Sequence, residues 1–296
     1  MGLSILIVNY NTEQFIVNFL HDLTKQTIDA SCLEVIIVNN SNNNTMQSLI
    51  EQNNLNLNLN IQVMLSENIG FGRAMNLAAS VAKQPHLLIA NPDLVLADPD
   101  YLQELLIQAN AHPEYGVITT QLLDEKQQDL SEFYNYEFHE TFGFENQICW
   151  FSGALLLIRS EIYQHIGGFD PDFFMYCEDE DICLRIKQLG LPLIKLNHLQ
   201  ILHIGGASEP NLCHNYFCRW YRSQILFAYK HMSVDAFNQL ITKLQRKSRS
   251  KCMIYQILKP LGIARYTFKL TQWKAMAEVI KRTQQESTAW LKYSPK

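Results

Sequence analysis

Predicted buried strands alternate with helices in the N-terminal third of the chain, and this alternation limits the possible fold more than any other feature. Mostly aliphatic runs recur at 3–8, 33–38, 61–64 and 86–90, and segments with helical periodicity lie between them. Such alternation indicates a doubly wound α/β sheet. Ligands of such sheets bind beyond the carboxyl ends of the strands, so the residues that follow each strand are candidates for a binding site.

Polar residues follow three of the four predicted strands. They are Asn9 and Asn11 after the first strand, Asn39 and Asn40 after the second, and Asn91 and Asp93 after the fourth. We expect these side chains to lie at one edge of the sheet. Asn91 and Asp93 offer the hard oxygen ligands that Mg²⁺ or Mn²⁺ takes, although a turn is the simpler interpretation of Asn91-Pro92-Asp93 taken alone.

Two glycine-containing segments could bring the backbone close to a ligand. The first includes Asn68, Gly70 and Arg73 and opens a predicted helix, but its glycines lack the spacing of the dinucleotide-binding fingerprint. N–H groups at a helix N-terminus can contact an anion, and close packing of helix on sheet is the structural alternative. The second places Gly153 in a Ser-Gly-Ala turn at the entrance to a predicted strand. Its missing side chain leaves room for a ligand.

Four consecutive acidic residues, Glu178 to Asp181, follow the apolar run 173–176. They begin a segment with a helical pattern that ends at Gly190. Acidic residues in a first helical turn complement the helix dipole, which is the structural interpretation. The preceding apolar run favours a cleft wall instead, where a carboxylate can serve a ligand or a reaction.

The composition limits the classes of protein to which this chain can belong. With 296 residues, 47% of them apolar, the chain can form one large domain, or one domain with an appendage. It contains no run of 18 apolar residues, so no membrane-spanning helix is predicted, and residues 1–8 resemble a strand and not a signal peptide. Seven cysteines without metal-ligand spacing favour a reducing cytosol. Cys213, His214 and Cys218 are not followed by a second ligand pair and do not predict a zinc site.

The charge is distributed unevenly along the chain. Residues 243–296 contain 13 Lys and Arg against two Glu, a net charge of +11, and the remaining residues carry −16. Basic residues interspersed with Trp273, Trp290 and aliphatic residues are typical of helices in the interface of an anionic membrane. A pair of solvated helices used for homo-oligomer contacts is the alternative. Nucleic acid is the least favoured partner, because no other part of the chain is basic.

Taken together, these residues resemble the family 2 glycosyltransferases of the GT-A fold, and most of all their rhamnosyltransferase-like branch. The resemblance runs from Ser4 to Ser208. Three motifs carry it: Gly153-Ala154 with Gly167-Gly168-Phe169-Asp170, the segment from Phe173 to Arg185, and His203-x-Gly205-Gly206-Ala207-Ser208. It implies a Rossmann-like mixed central sheet flanked by helices, in a GT-A domain at 1–212 with a helical C-terminal appendage at 213–296.

The resemblance also implies roles for individual residues in an inverting, metal-dependent transfer. Asp93, at the place of the family's DxD motif, and His203 would hold Mg²⁺ or Mn²⁺. Asp179 matches the general base, Glu178 would orient that site, and Asp181 and Arg185 would support the helix. The nucleotide-diphosphate sugar would be bound by Asn9, Asn11, Asn39, Asn68, Gly70, Arg73, Asn91 and Gly153.

Two residues depart from the family pattern. Asn91 stands where the metal motif has its first carboxylate, so we expect a modest cation affinity. Asn39 stands where the family has an Asp that accepts the N3–H of uracil or thymine. Because an amide can also donate, Asn39 leaves the base open, cytidine included.

The predicted function is the transfer of a hexose from a nucleotide-sugar, with dTDP-rhamnose favoured, to a glycan or lipid-linked acceptor of a cell-surface polysaccharide. UDP-galactose, UDP-galactofuranose and UDP-hexosamine are rival donors. A non-catalytic nucleotide-sugar-binding scaffold subunit is the alternative from another class. The expected location is the cytoplasm, or the inner face of the cell membrane if the basic segment binds lipid.

Overall fold

The computed structural model describes residues 2–205, 212–286 and 288–293. These fall into two compact units, one of residues 1–170 and 178–208 and the other of residues 171–177 and 209–296. The predicted functional division at residue 212 stays a prediction.

The first unit is built on a mixed sheet of eight strands. The strands are β1 (Leu3–Asn9), β2 (Leu33–Asn39), β3 (Ile61–Leu65), β4 (His86–Ala90), β5 (Leu94–Val95), β6 (Val117–Leu123), β9 (Leu155–Arg159) and β10 (Leu193–His203), in the order β3-β2-β1-β4-β9-β6-β10-β5. A separate pair contains β7 (Glu132–Phe133) and β8 (Trp150–Phe151). Strands β3, β2, β1 and β4 are parallel, whereas β9 is antiparallel to both of its neighbours. The predicted mixed α/β sheet is confirmed, and its parallel half is the alternating segment of the sequence.

Helices cover both faces of this sheet. They are α1 (Glu13–Leu23), α2 (Thr45–Gln52), α3 (Phe71–Ala79), α4 (Tyr101–Ala111), α5 (Ser160–His165) and α6 (Glu178–Gln188). Side chains of β1 alternate between the two faces, so that Leu3, Ile5 and Ile7 belong to the core under α1, α2 and α4. Leu6 belongs to the core under α3, α5 and α6. Strands buried on both faces explain why the sequence shows continuous aliphatic runs there.

The second unit is helical, as predicted for the C-terminal appendage. It contains α7 (His214–His231), α8 (Val234–Leu258) and α9 (Ala264–Gln285). Segment 171–177 is held by Asp172, whose carbonyl accepts the N–H of Tyr293 at 2.8 Å and whose carboxylate pairs with Lys230 at 2.6 Å. None of the described helices is long and apolar enough to cross a bilayer.

Candidate active site

Asn9 and Asn39 end the paired strands β1 and β2, and both are fully buried. The side-chain amide of Asn9 donates to Oδ1 of Asn39 at 2.8 Å. Oδ1 of Asn39 also accepts the N–H of Ser41 at 3.1 Å, and its amide donates to the carbonyl of Asn43 at 2.6 Å. The polar atoms of Asn39 therefore shape the loop that follows β2, and its contact with a nucleotide base stays a prediction.

Asn40 lies at the same edge, as expected for a strand-end residue, although the family resemblance implied no donor contact for it. Its amide donates to the carbonyl of Gly70 at 3.2 Å, while its Oδ1 is buried without a hydrogen-bond partner among the described residues. A buried polar atom without a partner costs about 1–3 kcal/mol. Asn40 is therefore a second candidate for a donor contact, and the sequence signal for it is only its position next to Asn39.

The predicted donor residues of the neighbouring loops lie around this edge. Asn11 has a left-handed φ of 56°, and its N–H donates to Ser41 Oγ at 2.9 Å. Asn68 Oδ1 accepts the N–H of Gly70 at 3.1 Å, and Gly70 precedes α3 with a φ of 86° that favours glycine. Arg73 lies half-buried in the first turn of α3. The structure thus joins the loops after β1 and β2 to the N-terminus of α3.

Asp93 and His203 meet because β5 and β10 pair antiparallel, with His203 opposite Leu94. Oδ1 of Asp93 lies 3.3 Å from Nε2 of His203, and Oδ2 accepts the N–H of Gly205 at 3.0 Å. Burial raises the pKa of Asp93, but the hydrogen bond and charge of His203 outweigh it, and the pKa is lowered overall. Asn91 completes the group, with its Nδ2 3.5 Å from Nε2 of His203.

This pair fits a divalent cation. Two ligand atoms at about 2.1 Å from one ion lie about 3.0–3.4 Å apart, which is the separation of the Asp93 oxygen and the His203 nitrogen. With neutral His203 as the second ligand, one carboxylate and so few protein ligands would leave coordination positions open for further oxygen ligands. Gly206, Ala207 and Ser208 of the predicted motif lie outside the described residues.

Asp179 lies in the first turn of α6, against the turn that contains Gly153. Its Oδ2 accepts the N–H of Gly153 at 2.9 Å, and its Oδ1 accepts the N–H of Glu180 at 3.0 Å. A Cβ on Gly153 would lie only 3.1 Å from the Cβ of Asp179. Glycine therefore lets the backbone approach and orient this carboxylate, which is half-buried.

Burial raises the pKa of Asp179 above its usual range, although the two N–H donors act in the opposite direction. Burial raises the pKa of Glu178 still more, helped by the charge of Asp179. Oε2 of Glu178 is buried and has no hydrogen-bond partner within the described part of the chain. The two neighbouring carboxyl groups thus have different environments: Asp179 is half-buried and oriented by two N–H donors, and Glu178 is buried with one oxygen that lacks a hydrogen-bond partner among the described residues.

We expect Glu178→Gln to stabilise the protein at pH 8. The folded-state pKa of Glu178 lies above the unfolded value of about 4.3, so the stability contributed by the protonated carboxyl is lost as the pH rises toward the folded-state pKa. The melting temperature should rise by about 2–4 °C, the effect of about 1 kcal/mol. The gain should shrink as the pH falls toward 4.3.

Glu125→Gln at an exposed turn is the matched control and should show no such pH-dependent gain. A melting temperature of the Glu178 variant that is lower than wild type at pH 8 would contradict the assignment of a buried, unfavourable charge.

Two sets of polar contacts hold the turn at residues 166–169. Arg185 pairs with buried Asp181 at 2.7 Å and donates to the carbonyls of Ile166 at 3.0 Å and Gly168 at 2.8 Å. Asn76 of α3, to which the sequence analysis gave no role, both donates to and accepts from the backbone of Phe169. A polar residue on a helix is usually solvated, so the sequence carried no signal for this contact.

A group of possible metal ligands also lies in the second unit. His214, Cys218 and Glu278 place one ligand atom each within 4.8 Å of one another. Burial, then the charge of Glu278, raises the pKa of the Cys218 thiol to about 11, whereas Arg282 lowers it. Arg282 already places a positive charge beside Cys218 and Glu278. The negative charge of this group is therefore balanced without a metal ion.

Comparison with known proteins decides the family. The family model described as glycosyltransferase like family 2 matches residues 2–223. The chain belongs to glycosyltransferase family 2. The predicted family and enzyme class are thereby confirmed.

Its curated relatives include rhamnosyltransferases. Rhamnosyltransferase WbbL of Escherichia coli K12 is 21% identical over 257 residues, which cover 77% of this chain and 92% of that protein. N-acetylglucosaminyl-diphospho-decaprenol L-rhamnosyltransferase of Mycobacterium tuberculosis is 23% identical over 238 residues, with coverage of 68% and 75%.

Solved structures share the fold. The mannosyltransferase PcManGT of Pyrobaculum calidifontis, in complex with GDP-Man and Mn²⁺, has a TM-score of 0.61 at 14% identity, covering 96% of this chain and 87% of that chain. S. aureus TarS 1–349 in complex with UDP-GlcNAc has a TM-score of 0.59 at 16% identity, with coverage of 97% and 92%. The predicted GT-A fold is confirmed.

Proposed function

We propose that this glycosyltransferase transfers a sugar, with inversion, from a nucleotide-diphosphate sugar to a glycan or lipid-linked acceptor of a cell-surface polysaccharide. One observation carries the proposal. The Gly153-Ala154 backbone donates to Asp179 on one side and accepts the N–H of Asn91 at 2.9 Å on the other. Two consecutive residues therefore hold both the candidate base and Asn91, and Asn91 lies beside the candidate cation ligands Asp93 and His203.

In this mechanism Asp179 accepts the proton of the acceptor hydroxyl as that oxygen attacks the anomeric carbon. Its raised pKa brings the carboxylate nearer to the working pH, where a general base is most effective. The N–H groups of Gly153 and Glu180 fix its orientation. Burial and the charge of Asp179 raise the pKa of neighbouring Glu178, which disfavours a second negative charge beside the candidate base.

Asp93 and His203 would hold Mg²⁺ or Mn²⁺, and that ion would offset the negative charge on the leaving diphosphate. The imidazole favours Mn²⁺ over Mg²⁺, because Mg²⁺ prefers oxygen ligands. Asn91 contributes an amide in place of a carboxylate. With fewer charged ligands, the affinity of the site for the cation is lower when no nucleotide-sugar is bound. We therefore propose that cation and donor bind together.

The donor we favour is dTDP-L-rhamnose. Two relatives that cover more than two thirds of this chain are named rhamnosyltransferases, and one of them names a diphospho-decaprenol acceptor. UDP-sugars stay as rivals, since Asn39 and Asn40 are amides that can read more than one pyrimidine. Family membership favours an enzyme over the non-catalytic scaffold. We place the reaction at the cytoplasmic face of the membrane, where a lipid-linked acceptor is accessible.

Thermal stability against dTDP-rhamnose, UDP-galactose, UDP-galactofuranose and UDP-GlcNAc tests the donor site, each with Mn²⁺, with Mg²⁺ and with chelator. A ligand at about a hundred times its Kd stabilises by about 2.7 kcal/mol. We expect dTDP-rhamnose with Mn²⁺ to give the largest rise in melting temperature. Asp93→Ala should abolish its metal-dependent part, and Asp98→Ala, at an exposed position, should not.

A larger metal-dependent rise in melting temperature with a UDP-sugar would contradict dTDP-rhamnose as the donor but would support the proposed donor site. The absence of any rise with all four nucleotides at millimolar-scale concentration would contradict the proposed function.

A further inference from the structure

The buried contacts of the α8–α9 pair are confined to one end of the two helices. On α8 the buried residues end at Ser248, and on α9 they begin at Leu270. None of residues 249–269, all of which are described, is buried. About ten residues at the end of α8, about 15 Å of helix, therefore lie beyond the last buried residue of that helix.

This projecting end carries large aliphatic side chains that are open to solvent. We define the apolar tip as Met253 (66% exposed), Ile254 (45%), Ile257 (71%), Leu261 (63%) and Ile263 (47%). Single exposed hydrophobic residues are common on protein surfaces, but a contiguous group marks a contact surface. Gly262, with a φ of 71°, makes the turn between the helices within this group.

The surroundings of the apolar tip are positively charged. Residues 236–277 contain nine Lys and Arg and no Asp or Glu. Lys259 and Arg265 lie exposed within and beside the apolar tip. Trp273 and Trp290, which were expected at a membrane boundary, contact basic side chains of the protein itself. Lys247 lies over the ring of Trp273 at 5.5 Å, and Arg282 lies over the ring of Trp290 at 4.5 Å.

We propose that the apolar tip inserts into the interface of an anionic lipid bilayer while the flanking Lys and Arg contact the headgroups. Aliphatic side chains enter the boundary of the acyl region, and each nearby Lys or Arg strengthens attraction to an anionic surface. This inference rests on the proposed function, because a lipid-linked acceptor brings the enzyme to such a surface.

The charge distribution argues against two other occupants. A second copy of the chain would bring two equally basic tips together, and like charges that meet at an interface oppose association. Single-stranded nucleic acid would fit the charge, but its bases stack on exposed aromatic rings. Tyr255 and Tyr266 at this end are half-buried, their ring centroids lie 6.3 Å apart, and the most exposed large side chains are aliphatic.

Flotation of the full-length protein with phosphatidylcholine vesicles, with and without phosphatidylglycerol, tests the inference. Wild type should float with the phosphatidylglycerol vesicles. The double variant Ile257→Glu/Leu261→Glu should bind them about a hundredfold or more weakly, since it removes two inserted side chains. Lys259→Ala/Arg265→Ala should bind about 20-fold more weakly, and high salt should weaken wild type.

Val234→Glu is the matched control. Val234 is an aliphatic residue at the opposite end of α8 and is 76% exposed, so its variant should float like wild type. The inference is overturned if wild type stays in the soluble fraction, or if the Ile257/Leu261 variant floats as well as wild type. It is also overturned if that variant alters the oligomeric state and leaves vesicle binding unchanged.

Vesicle binding is measured without donor or acceptor, so its failure is separate from failure of the proposed function. Loss of flotation in a protein that dTDP-rhamnose still stabilises counts against the membrane contact alone. Intact flotation in a protein that no nucleotide-sugar stabilises counts against the proposed function alone.

Discussion

Asp179→Asn should lower kcat by about 10²–10⁴ and leave donor affinity unchanged. The amide keeps the shape of the side chain but cannot accept the proton of an acceptor hydroxyl, which is the contribution of a general base. Sugar transfer should be measured under saturating donor, and donor affinity by the thermal shift with Mn²⁺. Because burial raises the pKa of Asp179, wild-type kcat should rise with pH above the usual aspartate range, and the variant should lose this dependence.

Glu180→Gln removes a negative charge from the adjacent position of α6 and leaves residue 179 unchanged, so it should change kcat far less than Asp179→Asn. Gly153→Ala should lower kcat without changing residue 179, because the added Cβ would lie 3.3 Å from Oδ2 of Asp179 and displace it. Turnover of Asp179→Asn near the wild-type rate would refute the assignment of the base.

Arg185→Met should destabilise the first unit by about 3–5 kcal/mol. Asp181 is 1% exposed, and the substitution removes the ion-pair partner at 2.7 Å from this buried carboxylate. The variant also loses the two hydrogen bonds that Arg185 donates to the carbonyls of Ile166 and Gly168. These bonds hold the turn at residues 166–169. The free energy of unfolding from urea titration measures the loss.

A double variant distinguishes the contribution of the Asp181–Arg185 ion pair to stability from the packing contribution of the Arg185 side chain. Asp181→Asn added to Arg185→Met should recover part of the lost stability, because it removes the buried negative charge that Arg185 balanced. Lys25→Met breaks a pair whose lysine is 67% exposed and should have a much smaller effect. If the double variant were less stable than Arg185→Met, loss of charge balance at Asp181 could not be the cause of the destabilisation.

The sequence predicted the parallel half of the sheet well, because its strands are buried on both faces and appear as aliphatic runs of the right length. It did not predict β6, or that β9 runs against its neighbours. The direction and partners of a strand depend on contacts between distant segments, which local periodicity does not report. The helical appendage was predicted, but not which of its apolar residues are exposed.

The candidate site shows the same division. Its residue types and their order along the chain were enough to indicate the family, because polar residues at strand ends and the acidic segment are local features. The hydrogen-bond partners were not predictable. Asn39 looked available to a base and is occupied by its own loop, whereas Asn40 beside it keeps a buried oxygen without a partner among the described residues.

By itself, the sequence determined the α/β class, the glycosyltransferase family and the set of candidate residues, because these depend on residue type, spacing and burial pattern. Only the tertiary structure decided which of these candidate residues contact one another. Asp93 and His203 are far apart in the chain and lie 3.3 Å apart because β5 and β10 pair antiparallel. Glu178 and Asp179 are neighbours with different environments, because one side chain of a helical turn faces the core and the next meets the N–H of Gly153. Solvation and pairing set the chemistry of a carboxyl group, and both depend on residues distant in sequence.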